Sequence, residues 1–432
     1  MTATYLAALV DGGGTVPPEL AAVRLLVERG HRVVVLAEDS MEPDVRATGA
    51  AFRRWTTAPN RPSRRAEHDP VRDWEVGNPL RLFERLIDTQ FVGPAPRYAA
   101  DLGQAIAECR PDVVLCAQFA FGAMVAAEAA GIPSCVLMPN VYLVPAPGMP
   151  PIGIGLKPAA GTVGRLRDRV IAGVTSRVWN RRGLPRLNAL RAELGLEPLD
   201  DFWAQIHRAD RQLVMTSREF DFPATLPDGA RYVGAVLDDP GWAGSWTSPA
   251  GDEPLVLVAF SSTFQDQLGC LRRIVAALGT LPVRALVTTG PALDAGDIDP
   301  PPNVVVVASA PHAEVLREAA AVVTHGGHGT VIKALAAGVP PVILPHGRDQ
   351  ADNAVRVTAR GAGLAVKRTA KPAAIAAAVR EAVQDPSYRE RAERLGAAIR
   401  RDAGSGALLR ELEDMGSAAA SARERTPLTS GS

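Results

Sequence analysis

Ala321-Val322-Val323-Thr324-His325-Gly326-Gly327-His328-Gly329-Thr330, with residues 331–338 behind it, decides how this chain is read. Its first residues are apolar or β-branched and run into a glycine-rich turn. Val331, Ile332 and Leu335 then keep a helical spacing until Gly338 stops it. The stretch therefore predicts a strand, a turn and the start of a helix. Three glycines within four positions let backbone approach a ligand closely, and the helix behind them presents unpaired N–H groups with a partial positive charge. Such a terminus binds anions, phosphate above all. The spacing is neither GxGxxG nor GxxxxGK[ST]. Without the P-loop lysine, an ATPase that clamps a transferred phosphate is a poor fit.

Downstream, residues 339–344 read as a buried strand that ends in Pro345-His346-Gly347-Arg348-Asp349-Gln350, and a helix beginning near Ala351 carries Asn353. Two successive strand-to-helix turns thus open on one sheet edge. One is built for an anion, and the other ends in a carboxylate and an amide suited to hydroxyl groups. The pair, THGGHGT and then PHGRDQADNAVRV, closely resembles the donor site of the GT-B nucleotide-sugar glycosyltransferases of the small-molecule type, the UDP-glucuronosyltransferase-like family 1, notably the bacterial natural-product enzymes. Two motifs share the family's order and spacing, and the likeness extends through most of the chain.

The resemblance implies that His325, Gly327, Gly329 and Thr330 hold the donor diphosphate while Asp349 and Gln350 bind the sugar hydroxyls. It places His312 near the nucleoside and makes Ser261, Ser262 and Thr263 a loop that touches donor phosphates. The family's frequent stacking aromatic corresponds to Ser309, whose side chain cannot stack on a base. No cofactor is implied beyond the nucleoside-diphosphate sugar, TDP- or UDP-linked, with a small hydrophobic aglycone as the other substrate; a homodimer or an auxiliary protein is left open.

The rest of the chain fits that architecture. A strand at 5–10, a glycine- and proline-rich turn at 11–18, a helix at 19–29 and a strand at 32–36 make a βαβ opening. Strands at 51–55, 113–116 and 134–138 alternate with helices near 80–88, 97–109 and 119–130, which predicts a parallel, doubly wound sheet. Strands near 211–215 and 231–236 close this half, and a second series begins at 255–260. The fold class expected is α/β, two Rossmann-like doubly wound domains facing a cleft. Residues 1–237 form the acceptor domain, 238–252 a linker, 253–414 the donor domain, and 415–432 a disordered tail. A helix at 388–413 is expected to cross back to the first domain, as the family's last helix often does. Another, at 163–179, carries Val163, Leu166, Val170, Val174 and Val178 on one stripe with arginines off it. That pattern reads as a packed helix with a solvated basic face, or as a docking surface or acceptor lid.

Bulk properties narrow the function further. At 432 residues the chain is long enough for two or three domains, and 47% apolar residues suit ordinary globular cores. Charge balances, with 47 Lys and Arg against 47 Asp and Glu, so neither nucleic acid nor an acidic membrane surface is indicated as partner. The four cysteines lack CxxC spacing and read as reduced. With no basic leader and no run of 18 apolar residues, a cytoplasmic protein without an integral membrane segment is expected. His312, His325, His328 and His346 lack a cysteine companion for zinc, and Asp297-Ile298-Asp299 spells a metal-binding DxD outside any strand end, so no metal site is assigned.

The catalytic base is where this sequence departs from the family. Many members read Gly-His-x-x-Pro after the first strand, but here Gly14 is followed by Thr15, and the position of the partnering Asp is Ala117. A threonine hydroxyl is no base near neutral pH, whereas a cleft carboxylate becomes one if burial raises its pKa. Asp11, ending the first strand, is the nearest candidate; alternatively the acceptor needs little base help. The reading is an inverting, metal-independent glycosyltransferase with Asp11 and Thr15 at the reacting end. Loss of the dyad also raises a homologue that only binds nucleotide sugar or assists a partner transferase. A dinucleotide oxidoreductase, suggested by Asp11-Gly12-Gly13-Gly14, fails because Pro17 and Pro18 occupy the helix start and the third fingerprint glycine is missing.

Overall fold

A computed structural model describes residues 2–239, 244–261 and 263–425. The first sheet contains β1 (Thr4–Ala8), β2 (Arg32–Ala37), β3 (Ala51–Arg54), β4 (Val113–Ala117), β5 (Ser134–Met138), β6 (Arg211–Val214) and β7 (Ala230–Tyr232), in the order β3-β2-β1-β4-β5-β6-β7. The second contains β8 (Leu255–Ala259), β9 (Arg284–Thr288), β10 (Val304–Val307), β11 (Ala319–Thr324), β12 (Pro341–Ile343) and β13 (Leu364–Ala365), ordered β10-β9-β8-β11-β12-β13. Every neighbouring pair is parallel. Helices cover both faces of a parallel sheet, so central strands such as β4, β5 and β8 are buried along their whole length and read as unbroken apolar runs. In each sheet the strand order reverses beside the first strand, between β1 and β4 and between β8 and β11. Crevices at the carboxyl ends of strands open at such points.

Seven helices matter for the site: α1 (Val16–Glu28), α2 (Gly161–Val178), α3 (His312–Glu318), α4 (His328–Ala336), α5 (Gln350–Ala359), α6 (Pro386–Ala403) and α7 (Ala407–Arg425). Helix α5 bolts the halves together. Its Arg356 donates from Nε to Asp221 Oδ1 at 2.9 Å, with both side chains buried. Asp352 accepts from Gly153 N at 2.6 Å and Gly155 N at 2.9 Å, and Arg360 Nη2 donates to Asp221 O at 2.7 Å.

Two sequence expectations need correction. The apolar stripe of α2 is not packed: Val163 is 81% exposed, Leu166 59%, Val170 57% and Val174 45%. Arg165, Asp168, Arg169 and Ala172 instead line the cavity between the halves. Amphipathic spacing says that a helix has two faces; which one turns inward is decided by what lies beneath, and here that is the cavity between the halves. The expected helix at 388–413 is two helices, broken at Gly404-Ser405-Gly406 with Gly406 in the left-handed region at φ 69°. The second helix continues to Arg425, so residues 415–425 are helical where a disordered tail was expected; 426–432 lie outside the described residues. Leu408, Leu412 and Met415 form its buried stripe, and Tyr5 donates from its hydroxyl to Leu412 O at 2.9 Å, seating α7 on the first half. Among the described residues no helix is long and apolar enough to cross a membrane. All four cysteines are free, with Cys116, Cys135 and Cys270 buried.

Candidate active site

The turn from β11 into α4 brings the glycine motif to the cleft. Gly326 holds φ 97°, and a Cβ there would sit 2.7 Å from Ile343 Cγ2, so only glycine fits. A Cβ on Gly327 would meet His325 Nε2 at 2.6 Å, which places the imidazole directly against this bare backbone. No side chain caps α4, and the first bond of its ladder runs from Val331 N to Gly327 O at 3.1 Å. Gly327, His328, Gly329 and Thr330 all line the cavity. The N-terminus of α4 therefore offers amides and positive dipole to an anion.

His325 is buried, and burial, reinforced by His346 and Arg348, pushes its pKa down to about 3. It is a neutral imidazole that bonds Ala259 backbone and faces the same cavity as α4. His328, read from sequence as a cleft-lining loop residue, is the first residue of α4; its Nε2 lies 2.9 Å from Thr216 Oγ1 across the cleft. Burial lowers its pKa to about 4. His346 bonds Leu344 O at 2.8 Å through Nδ1 and packs edge-on against Phe260, off the cavity wall where it was expected.

The second turn is held from within. Gln350 accepts His346 N at 2.7 Å and Gly347 N at 3.2 Å, and gives its own N–H to Gln265 Oε1 at 2.7 Å. Its amide shapes the turn while still touching the cavity. Arg348, a non-glycine residue at φ 56°, bridges Thr263 Oγ1 at 2.9 Å and Asp73 Oδ2 at 2.8 Å. Asp349 stands at the N-cap position of α5 without capping it, and accepts one bond from Asn353 Nδ2 at 3.0 Å. Burial raises its pKa, and it keeps acceptor capacity toward the cavity. Ser261 and Thr263 line the cavity as well; Ser262 lies outside the described residues.

His312 starts α3 and places Nε2 3.3 Å from Thr288 Oγ1, with its pKa lowered to about 4 by burial and then by Lys333. Beside it is a pair that sequence reasoning missed. Asp239, read as linker, accepts Lys333 Nζ at 2.7 Å and Ala313 N at 2.8 Å, tying the linker to α3 and α4. The partners are 94 residues apart, so no local pattern announces them. Asp297 and Asp299 are exposed and do not line the cavity.

The facing wall comes from the first half. Asp11, Gln118 and Asn140 follow β1, β4 and β5, while Thr15, Pro17, Pro18 and Glu19 come from the start of α1. Thr15 Oγ1 sits 2.5 Å from where a Cβ on Gly12 would be. Asp11 is the carboxylate expected at this edge, but both oxygens are engaged. Oδ1 accepts Gly13 N at 2.9 Å, and Oδ2 accepts Arg64 Nε at 2.8 Å and Ser40 Oγ at 2.7 Å. Burial pushes its pKa up, but Arg64 and Arg61 outweigh burial and hold the carboxyl below its usual value. Farther out, Phe83, Phe91, Phe119, Trp179 and Trp203 give the wall an aromatic face, and the whole cavity measures about 1210 Å³. The chamber thus pairs an anion-binding helix terminus with a large apolar recess.

Comparison with known proteins meets this geometry. The family model described as "Erythromycin biosynthesis protein CIII-like, C-terminal domain" matches residues 272–414. Over 404 residues the chain is 30% identical to the oleandomycin glycosyltransferase of Streptomyces antibioticus, spanning 91% of this chain and 86% of that protein. The chain belongs to the natural-product glycosyltransferases of family 1. It is also 29% identical over 423 residues to the 4'-demethylrebeccamycin synthase of Lentzea aerocolonigenes, covering 91% of this chain and 95% of that one. The crystal structure of the kitacinnamycin glycotransferase superposes with a TM-score of 0.72 at 27% identity over 99% of both chains. The calicheamicin glycosyltransferase CalG4 does so with a TM-score of 0.74 at 25% identity over 96% of this chain and 98% of its own. This glycosyltransferase has the GT-B fold.

Proposed function

We propose that this transferase moves a sugar from a TDP- or UDP-linked donor to a small hydrophobic aglycone, with inversion and without a metal ion. The observation that carries the reading is the uncapped N-terminus of α4, set beside neutral His325 and facing an aromatic recess. Residues 253–414 supply the donor wall, 1–237 the acceptor wall and 238–252 the link. As the bond to the anomeric carbon breaks, charge develops on the diphosphate, and fixed amides there stabilise the transition state as a divalent cation would. Thr330, Gly329 and Gly327 with His325 take the diphosphate, Thr263 the loop beside it, His312 the nucleoside end, and Asp349 with Gln350 the sugar hydroxyls. The acceptor enters from the opposite wall, so attack and departure lie on opposite faces of the sugar and the product is inverted.

Donor consumption with a panel of phenolic, alcoholic and indolic aglycones in EDTA tests this reading, together with the anomeric coupling constant of the product. No transfer, dependence on a divalent ion, or retained configuration each removes the corresponding part.

A further inference from the structure

The acceptor wall holds three polar side chains with unmet hydrogen-bonding capacity. Glu19 is 1% exposed with Oε2 unpartnered; Gln118, 3% exposed, has neither end of its carboxamide bonded; Asn140 Oδ1 is bare. All three line the cavity. A buried polar atom without a partner destabilises a fold, and four such atoms on one wall call for a ligand that completes them. Glu19 lies one helical turn after Thr15, on the same face of α1, so it looks into the crevice where β1 and β4 diverge.

We propose that Glu19 is the general base that takes the acceptor's proton. The proposal deepens, and rests on, the reading of this protein as a working transferase. The Glu19 carboxylate removes the proton from the acceptor O–H or N–H as that atom bonds to the anomeric carbon. The bond from that carbon to the diphosphate oxygen breaks, and its electron pair leaves with the nucleoside diphosphate. The proton stays on Glu19 until solvent takes it.

The surroundings suit that role. Burial raises the Glu19 pKa well above the usual carboxylate range, and the charge of Asp11 adds to the shift. Behind Asp11, Arg61, Arg64, Glu38 and Asp44 pair among themselves and with Asp11. Uncharged Gln118 and Asn140 follow β4 and β5. A base of raised proton affinity is the stronger base once ionised, whereas Asp11 is both paired and lowered.

Glu19→Gln keeps the shape and removes the base. With TDP-glucose and the aglycone panel it is expected to lower kcat by about 100-fold or more, to leave the Kd for TDP unchanged in calorimetry, and to erase the rise of kcat/KM with pH. An acid whose pKa is higher folded than unfolded loses stability as pH climbs between the two values. Glu19→Gln therefore melts higher than wild type at pH 8, and the gap closes by pH 4. Opposite movement of activity and melting temperature separates a base from a residue that merely packs. Wild-type turnover in Glu19→Gln, or a melting temperature at pH 8 no higher than wild type, overturns the proposal while the transferase reading stands. A wild type that binds TDP but transfers nothing to any aglycone overturns that reading, and the proposal with it.

Discussion

On the donor wall most polar side chains already have partners within the protein: Gln350 holds its own turn, Arg348 bridges Thr263 and Asp73, and His328 bonds Thr216. On the acceptor wall Glu19, Gln118 and Asn140 retain bare atoms. Both walls are the carboxyl edge of a parallel sheet, so the backbone does not account for the difference. Under the proposed function the first wall receives a constant diphosphate and gains from preorganised groups, because nothing then reorganises as charge develops. The opposite wall keeps unspent bonding capacity that an acceptor can satisfy. Their responses to pH should also oppose each other, since the donor wall buries histidines whose pKa values are lowered and the acceptor wall an acid whose pKa is raised.

The largest effect that would expose this contrast is acid destabilisation. His312, His325 and His328 have pKa values lowered to about 4, 3 and 4. The unfolded chain binds protons first, so stability is complete above about pH 6.5 and falls as pH drops toward 4, by about 1.4 kcal/mol per pH unit for each histidine at most. Urea titrations between pH 7.5 and 4.5 measure this, and a flat profile would mean that the donor wall does not hold these rings neutral. Next comes Arg356→Ala, which strands fully buried Asp221 and should cost about 3–5 kcal/mol in the same assay; a loss under 1 kcal/mol would show that α5 is not what holds the walls together.

His325→Ala sharpens the donor side. It should weaken TDP binding about 10- to 100-fold, as loss of a hydrogen bond to a charged group does, and unchanged calorimetric affinity would argue against the α4 anion site. Asp11→Asn leaves Arg64 facing only Asp44, and should lower stability by about 1–3 kcal/mol, contrary in sign to Glu19→Gln; a stabilised Asp11→Asn would erase the distinction between the two acids. Smallest of all, Leu166→Ser and Val170→Ser on the outward stripe of α2 should alter stability by no more than about 0.5 kcal/mol. A larger loss would mean that this face is covered in solution.

Much of the donor wall was legible because its chemistry is local. A strand, a glycine turn and a helix start within ten residues carry the anion site whole, and the Asp349-Gln350 turn follows one βα unit later. What the local pattern of Gln350 did not show is that its amide is also tied to Gln265, 85 residues away. Lys333 and Asp239 escaped notice for the same reason. Glu19 was read only as the start of a helix after a proline-rich turn, although a carboxyl four residues after Thr15 shares its helix face. What sequence could not supply was that this carboxyl is buried at the cavity wall with Oε2 unpartnered while Asp11 is saturated by arginines from the loop after β3. Helix α2 misleads for a related cause: spacing marks an apolar stripe, but whether anything packs on that stripe is decided elsewhere in the chain.

From the sequence alone came two doubly wound halves, the glycine-rich turn at 324–330 and the turn at 345–350 on the same sheet edge, because periodicity, glycines and helix starts act over a few residues. Only the tertiary structure decided which acid is free, which face of α2 meets the cleft and where the last helix breaks. Burial and charge pairing are sums over residues far apart in the chain, and a carboxyl's proton affinity follows that sum.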